Sequence, residues 1–214
     1  SAVSIVTLAL CIGATTVVYS VVDVILLRPL PVVDPDRLLV INETNNGRTI
    51  TVALPNFEDW QKRQTSFQHF AVWRGVTANL TGIDRPRRLN ARHVSHDMLA
   101  TLGVRPVLGR DFSAADDTFG VERTAIVSHG FWQRELGGTA EAIGRRISLD
   151  ENPVTVIGVL PRDFTMAREE DVYLPLRNFF DPAVPMFFNR GNHFGMTVVA
   201  RLKPGVTTEA AIAE

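Results

Sequence analysis

The sequence predicts an α+β protein: an N-terminal transmembrane helix followed by a domain in which strands outnumber helices. No charged residue occurs between Ser1 and Val22, whereas charges are frequent after residue 33. Downstream, short apolar runs bounded by Gly, Pro, Asn or Asp are typical of strands, and a few runs with three- or four-residue spacing are typical of helices. The composition, 45% hydrophobic and 21% charged, is that of a globular chain. Mixed strand and helix patterns of this kind predict the α+β class.

The N-terminal segment is long enough to cross a bilayer. At about 1.5 Å per residue, the run from Ser1 to Val22 reaches about 33 Å, close to the roughly 30 Å hydrocarbon thickness. Arg28 and Pro29 end the apolar pattern. A cleaved signal peptide would need a basic start, which is missing here. Residues 1–30 are therefore predicted to form a transmembrane helix and a juxtamembrane extension, with membrane lipid around residues 1–27.

Turn and capping residues delimit the first elements of the domain. Leu38–Ile41 is predicted as a short buried strand, which the Asn45–Gly47 turn joins to a second strand near Arg48–Val52. Pro55 favours the first position of a helix that ends by Gln64.

Glycines and a serine delimit the next elements. Gly75 and Gly82 are predicted to stand at strand ends, and Ser95 to cap a short helix that runs to Leu102 and ends at Gly103. The strands predicted here are Phe67–Trp73, Ala78–Thr81 and Arg87–His93.

Capping residues and apolar runs also delimit the elements of the second half of the chain. Ser128 is predicted to cap a helix closed by Gly137 and Gly138, Thr207 to cap a final helix, and Asn178–Asn192 to be loop-like. The strands predicted here are Thr124–Val127, a hairpin of Ile147–Leu149 and Val154–Leu160 around Asp150–Asn152, Val172–Leu176 and Thr197–Leu202.

Charge and motifs exclude several classes of function. Lys and Arg number 22 against 23 Asp and Glu, so no basic surplus indicates a nucleic-acid partner. A single cysteine cannot form an internal disulfide or a cysteine-based metal cluster. Neither a phosphate-binding loop nor a dinucleotide-binding glycine motif occurs. We therefore predict no catalytic, cofactor-binding or metal-binding residues, and no enzyme activity.

Two residue groups have a catalytic or metal-binding interpretation that would contradict this prediction. His93, His96 and Asp97 could suggest metal ligands, but solvated or hydrogen-bonded histidines are the simpler interpretation. Ser128 and His129 could suggest a nucleophile and its base, but adjacent residues lack the required geometry, which favours Ser128 as a helix cap.

Three further clusters have both a functional and a structural interpretation. The basic run Asp84–Arg88 fits a solvated loop better than an anion site, and the acidic residues Asp111, Asp116 and Asp117 lack calcium-loop spacing. A phenylalanine-rich stretch is equally compatible with a contact surface and with packing against the domain. Its members are Phe179, Phe180, Phe187 and Phe188.

An ordered series of segments resembles a known family. The segments are Leu8–Leu30 with Asp34–Leu38, Asn56–Trp60, Val94–Phe112, Ile126–Gly138, Ile143–Arg145, Val156–Pro161 with Phe164, Asp171–Leu176 and Val199–Gly205. Together they resemble the MacB-type permeases of ABC transporters, in particular the periplasmic core domain after the first membrane helix. The subgroup most similar is that of acidobacterial permeases, which often lack an adjacent nucleotide-binding gene.

The resemblance implies an architecture and a function. It implies an α/β lobe of residues 32–90 plus 192–214, a strand-rich lobe inserted at residues 91–191, and a pairing of Thr197–Leu202 with Leu38–Ile41. It also implies mechanotransmission: ATP-driven movement passed through the bacterial inner membrane to a periplasmic substrate or partner during export or efflux. In this family Gly103 and Gly109 would shape turns, while Trp60 and Trp132 would anchor lobes.

The resemblance also implies partners. These are a cytoplasmic ATP-binding subunit, a second permease copy in a homodimer or pseudo-dimer, and a periplasmic adaptor or substrate. Two alternatives remain open at this stage: a membrane-tethered periplasmic hydrolase, which would need the His, Asp and Ser residues above to converge, and a single-span scaffold.

Overall fold

The computed structural model describes residues 32–166 and 169–214, which contain four α-helices and eleven strands. The predicted mixture of helices with a majority of strands is confirmed for this part of the chain. The predicted transmembrane helix at residues 1–30, and its lipid contacts, lie outside the described residues. Among the helices described, none has the length and apolar character needed to span a bilayer.

The elements follow one another closely along the chain. The helices are α1 (Leu54–Arg63), α2 (Met98–Leu102), α3 (His129–Glu135) and α4 (Thr208–Ile212). The strands are β1 (Leu38–Ile41), β2 (Glu43–Asn45), β3 (Arg48–Ile50), β4 (Phe67–Thr81), β5 (Arg87–Val94), β6 (Leu108–Gly109), β7 (Thr124–Val127), β8 (Arg146–Leu149), β9 (Asn152–Val159), β10 (Val172–Pro175) and β11 (Thr197–Leu202). Short 3₁₀ turns occur at Pro35–Arg37, Ala140–Ala142 and Pro185–Phe188.

Nine strands form one sheet that partly closes on itself. The order is β1-β11-β4-β5-β10-β7-β9-β6, and β8 pairs with both β9 and the end of β4. The pairings β4–β5–β10–β7–β9–β8–β4 therefore close a ring of six strands, which we call the strand ring. Only two residue pairs, Leu80 with Leu149 and Thr81 with Ser148, make the closing β8–β4 contact.

The predicted pairing of β1 with β11 is confirmed. The two strands are antiparallel, with Val40 opposite Val199. The prediction of a buried first strand is wrong, because β1 is the edge of the sheet and the side chain of Val40 is exposed. The Asn46–Gly47 turn is present, but it joins β3 to β2 in a separate two-stranded sheet and not to β1.

The strand break predicted at Gly75 is absent. β4 runs continuously for 15 residues, and Gly75 lies opposite Arg92 in an unbroken antiparallel register with β5. Because the neighbouring residues continue the ladder, the missing side chain does not end the strand. β4 therefore supplies Phe70 to one hydrophobic cluster and Leu80 to another.

Two hydrophobic clusters form the core. The first fills the strand ring and includes Leu80, Leu89, Val127, Phe131, Leu149, Val156 and Val172, with Trp132 packed against it. The second lies between α1 and the β11–β4 part of the sheet and includes Leu54, Phe57, Phe70, Val72, Phe180, Met196 and Val198, with Trp60 packed against it.

Helix capping follows the sequence at two of three predicted sites. The hydroxyls of Ser128 and Thr207 each accept a hydrogen bond from the first turn of the following helix, at 3.2 Å in both cases. Ser95 is not the cap of α2, which begins at Met98 after Asp97. Its hydroxyl instead accepts from the backbone N of Val72 at 3.0 Å and donates to Asp97 at 2.7 Å. This side chain therefore connects β4 to the start of α2.

Candidate functional site: the junction segment and its arginine clamp

Residues 33–37, which we call the junction segment, follow the predicted membrane helix and are held against the sheet by Arg201. Arg37 of the segment also donates to the carbonyl of Leu202 on β11. Arg201 lies on β11 and is only 5% exposed. Its Nε donates to the carbonyl of Thr101 at 2.7 Å, while its two terminal nitrogens donate to the carbonyls of Val33 and Asp34 at 2.5 and 3.3 Å. This set of contacts, the Arg201 clamp, joins the junction segment, β11 and the end of α2.

The chemistry of the Arg201 clamp depends on carbonyl oxygens. Burial lowers the pKa of Arg201, and nearby Arg37 lowers it further, while Asp34 acts in the opposite direction. An arginine retains its charge in proteins, so its hydrogen bonds to carbonyls are charge-assisted. The rigid fork of the guanidinium fixes their directions as well as their strength. The clamp is therefore a directional attachment that a lysine could not reproduce.

Close packing at Gly103 reinforces this attachment. The backbone N of Val33 donates to the carbonyl of Leu102 at 3.1 Å. Gly103 has φ +71°, and a Cβ at this position would lie 2.7 Å from the Cβ of Val33. The predicted turn at Gly103 is confirmed, and only glycine satisfies both its left-handed backbone and the approach of Val33.

A buried carboxylate connects the start of α2 to the loop after β10. The Asp117 side chain is fully buried and accepts from the backbone N of His96 at 3.1 Å and of Arg177 at 2.6 Å. His96 Nδ1 lies 3.6 Å from Asp117 Oδ2, and the Asp117 hydrogen bond raises the pKa of His96. Asp117 thus stabilises the same helix whose far end the Arg201 clamp holds.

The two other acidic residues considered as calcium ligands have local roles. Asp116 accepts from Arg110 at 2.7 and 2.9 Å and from Ser113, and these contacts lower its pKa. Burial raises the pKa of Asp111 to about 6, although the backbone N of Phe112 donates to it. Within the described residues, no group of three or more His, Cys, Asp or Glu lies where it could hold a metal ion.

The residues weighed as catalytic groups have separate partners in the part of the chain that is described. His93 lies within β5, where it is buried against the ring of Phe179 at 4.7 Å between centroids. His93 is not solvated as predicted, since it is only 6% exposed, and its Nδ1 has no hydrogen-bond partner among the described residues. Ser128 caps α3, and the ring of His129 lies edge-on to Trp132 at 5.2 Å. These contacts give the hydrolase hypothesis no support.

The last two residues of the basic run Asp84–Arg88 make contacts within the domain. Asp84, Arg85 and Pro86 form an exposed turn, Arg87 pairs with Glu135 at 2.5 Å, and Arg88 donates to Thr77 at 3.3 Å.

The phenylalanine-rich stretch divides between the two interpretations. Phe180 is buried and Phe187 packs against the α1 cluster, whereas Phe179 and Phe188 are exposed. The stretch therefore both completes the core and presents aromatic surface.

Three important charged residues were missed by sequence reasoning. Arg201 lies in the apolar strand Thr197–Leu202, and Arg92 in the strand Arg87–Val94, where Glu170 pairs with it. For Arg201 the available signal was a charged residue within an otherwise apolar strand pattern, since such residues are buried only when partnered.

Comparisons with known proteins agree with the fold. The family model described as "MacB-like periplasmic core domain" matches residues 1–214. No match was found among the curated proteins.

Three solved structures share the fold at low identity. The periplasmic region of MacB from Actinobacillus actinomycetemcomitans is 12% identical, with a TM-score of 0.61 over 82% of this chain and 78% of that one. A domain of a putative permease protein from Porphyromonas gingivalis is 18% identical, with a TM-score of 0.63 over 82% and 79%. The extracellular domain of the noncanonic ABC-type transporter YknZ from Gram-positive bacteria is 14% identical, with a TM-score of 0.55 over 81% and 86%. The chain belongs to the family of MacB-like periplasmic core domains of ABC transporter permeases.

Proposed function

We propose that this domain transmits movement, driven by ATP hydrolysis in a cytoplasmic subunit, to a substrate or partner outside the cytoplasm. The observation that carries the proposal is the Arg201 clamp, which ties the junction segment directly to β11. β11 pairs with β4 from Thr197 to Leu202, and β4 continues into the strand ring. A displacement arriving at the junction segment would therefore be passed along hydrogen-bonded strands rather than absorbed in a loop.

Several parts of this proposal come from the family. Residues 1–30 would form a transmembrane helix in the bacterial inner membrane, and the described residues would lie on the periplasmic side. A second permease copy would complete the transporter, and a periplasmic adaptor or substrate would be the recipient of the movement during export or efflux. We also retain, as a proposal, the division into a lobe of residues 32–90 plus 192–214 and an inserted lobe of residues 91–191. The domain would perform no chemical reaction itself.

Distance measurement in the assembled transporter tests the transmission directly. Cys11→Ala and Ser113→Cys would leave one cysteine within residues 1–214 of each of two permease copies, at an exposed position for a spin label. In bilayers with the ATP-binding subunit, we expect the distance distribution between the two labels to differ between the nucleotide-free and ATP-bound states. An unchanged distribution while ATP is being hydrolysed would contradict the proposal.

Arg201→Met separates transmission from ATP hydrolysis. This variant keeps a long apolar side chain but removes the three carbonyl contacts, so ATP hydrolysis should persist while the nucleotide-dependent change in distance shrinks. Arg145→Met is the matched control, because Arg145 is exposed. Equal distance changes in the two variants would exclude the Arg201 clamp as the route.

The same cysteine tests the location of the domain. A membrane-impermeant thiol reagent should label Cys at position 113 in intact cells. Labelling only after lysis would place the domain in the cytosol, and both the location and the transmission mechanism would then be wrong.

A further inference from the structure

A cleft of about 640 Å³ opens at one end of the strand ring. Its lining comes from all six strands of the ring, from the loop before β7, from the turn between β8 and β9 and from the loop after β10. It includes Arg74, His93, Thr124, Leu174 and Phe179. On the side of β4 away from β5, pairing with β11 stops at Trp73 and pairing with β8 begins at Leu80. The cleft lies along the length of β4 that these two strands leave uncovered. Its volume is within the range usual for small-molecule sites.

Three polar side chains in this lining have buried atoms without a hydrogen-bond partner among the described residues. They are Nε of Arg74, Nδ1 of His93 and Oγ1 of Thr124. His93 is 6% exposed and Thr124 is 7% exposed. Buried polar groups are normally satisfied, and these three unsatisfied atoms belong to side chains that line a single cavity.

The lining of the cleft carries a net positive charge. Arg74 and Arg123 line the cleft, and neither forms an ion pair within the described part of the chain. Burial together with these two arginines lowers the pKa of His93 to about 3, so His93 is neutral. Asp150 is the one carboxylate among the described lining residues, and it is already engaged by the backbone and side-chain amides of Asn79 at 3.0 and 2.7 Å.

The cleft also has apolar and aromatic lining. Leu174, Val154, Phe119 and Phe179 all line the cleft. Of these, Phe119 and Phe179 have 44% and 49% of their surfaces exposed. The guanidinium of Arg74 lies 5.5 Å from the ring centre of Phe179, which orients the charge beside the aromatic wall. A ligand for this cleft therefore needs a negative group for the arginines and an apolar body for the adjoining aromatic and aliphatic side chains.

We propose that this cleft binds a small carboxylic acid with an apolar body, its carboxylate received by Arg74 and Thr124 and its apolar part by the Phe119 and Phe179 wall. A planar carboxylate matches the fork of a guanidinium, and the Thr124 hydroxyl and the His93 ring can supply the further hydrogen bonds. This inference goes beyond the proposed function, and it holds whether or not the domain transmits movement.

Ligand-observed NMR titration of the 214-residue chain in lipid nanodiscs tests the site without ATP or a partner subunit. The probes are octanoate and N-acetyl-Leu-Phe, each compared with its own neutral amide. We expect one or both acids to bind about tenfold or more tightly than the matching amide, because a charge-assisted contact is lost in the amide. Binding of octanoate alone would indicate an acyl carboxylate, and binding of the dipeptide alone would indicate a peptide terminus. Equal binding of acids and amides would overturn the proposal.

Two variants assign the binding to the cleft. Arg74→Gln should lower the affinity for the acid about tenfold. Arg85→Gln, in the exposed turn outside the cleft, should leave that affinity unchanged. Thr124→Val is nearly isosteric and should also weaken binding. Its unfolding midpoint should not fall, because the hydroxyl has no partner among the described residues in the unliganded domain. Undiminished affinity in both Arg74→Gln and Thr124→Val would show that the acid binds elsewhere and would overturn the proposal.

Discussion

Removing the carboxylate of Glu170 should strongly destabilise the domain. Glu170 pairs with Arg92, and the two side chains are only 3% and 4% exposed. The Arg92 guanidinium also lies 3.9 Å from the centre of the Trp73 ring, and two of its nitrogens have no hydrogen-bond partner among the described residues. Glu170→Ala would therefore leave a buried, unpaired charge, which costs about 3–5 kcal/mol. That is a large part of the roughly 5–15 kcal/mol that stabilises a typical domain.

Chemical denaturation of the 214-residue chain in mild detergent measures this cost as a lower midpoint. The double variant Arg92→Met with Glu170→Leu should recover most of the loss, since replacing a buried pair with apolar residues is often neutral or stabilising. Arg146→Ala is the surface control, because Arg146 and Glu122 form a pair that is 72% and 64% exposed and worth less than about 1 kcal/mol. A loss below about 1 kcal/mol in Glu170→Ala would refute the argument that the pair is desolvated.

Three further predictions concern pH, a glycine and a cap. Because burial raises the pKa of Asp111 to about 6, the folded state retains a proton there that the unfolded state releases above about pH 4, so stability should fall as pH rises through this window. Asp111→Asn should flatten that fall and add about 1–2 kcal/mol at pH 7, after allowance for partial exposure, in denaturation curves across pH. Gly103→Ala should cost about 2 kcal/mol, more than Gly47→Ala, because both residues have positive φ but only Gly103 meets Val33; thermal unfolding of the two variants measures the difference. Ser128→Ala should cost about 1 kcal/mol by removing the α3 cap, and a loss above about 3 kcal/mol in the same assay would mean that the hydroxyl has a further role.

Local chemistry made many elements predictable. Thr124–Val127 and Thr197–Leu202 are apolar runs between breakers, and both ends agree with the structure. Ser128 and Thr207 act as caps because a hydroxyl one residue before a helix can reach its first-turn amides without help from the rest of the fold. Gly103 ends α2 for an equally local reason, its left-handed backbone.

The errors arose where distant segments decide the outcome. Gly75 looks like a strand end, but it pairs with Arg92 on β5, and β4 continues beyond it. Ser95 looks like a cap, but its hydroxyl instead accepts a hydrogen bond from the backbone N of Val72. His93 looked like a solvated residue at a strand end, yet its neighbours on β4 and the Phe179 loop bury it.

The sequence by itself determined the α+β class, most strands and caps, and the family, because these depend on composition, short-range pattern and the order of segments along the chain. Only the tertiary structure decided that six strands close into a ring, that Arg201 holds the junction segment, and that Arg74, His93 and Thr124 surround one cleft. Arg201 and Val33 are 168 positions apart in the chain. Contacts of that range depend on how all the intervening strands pair, and no local pattern carries that information.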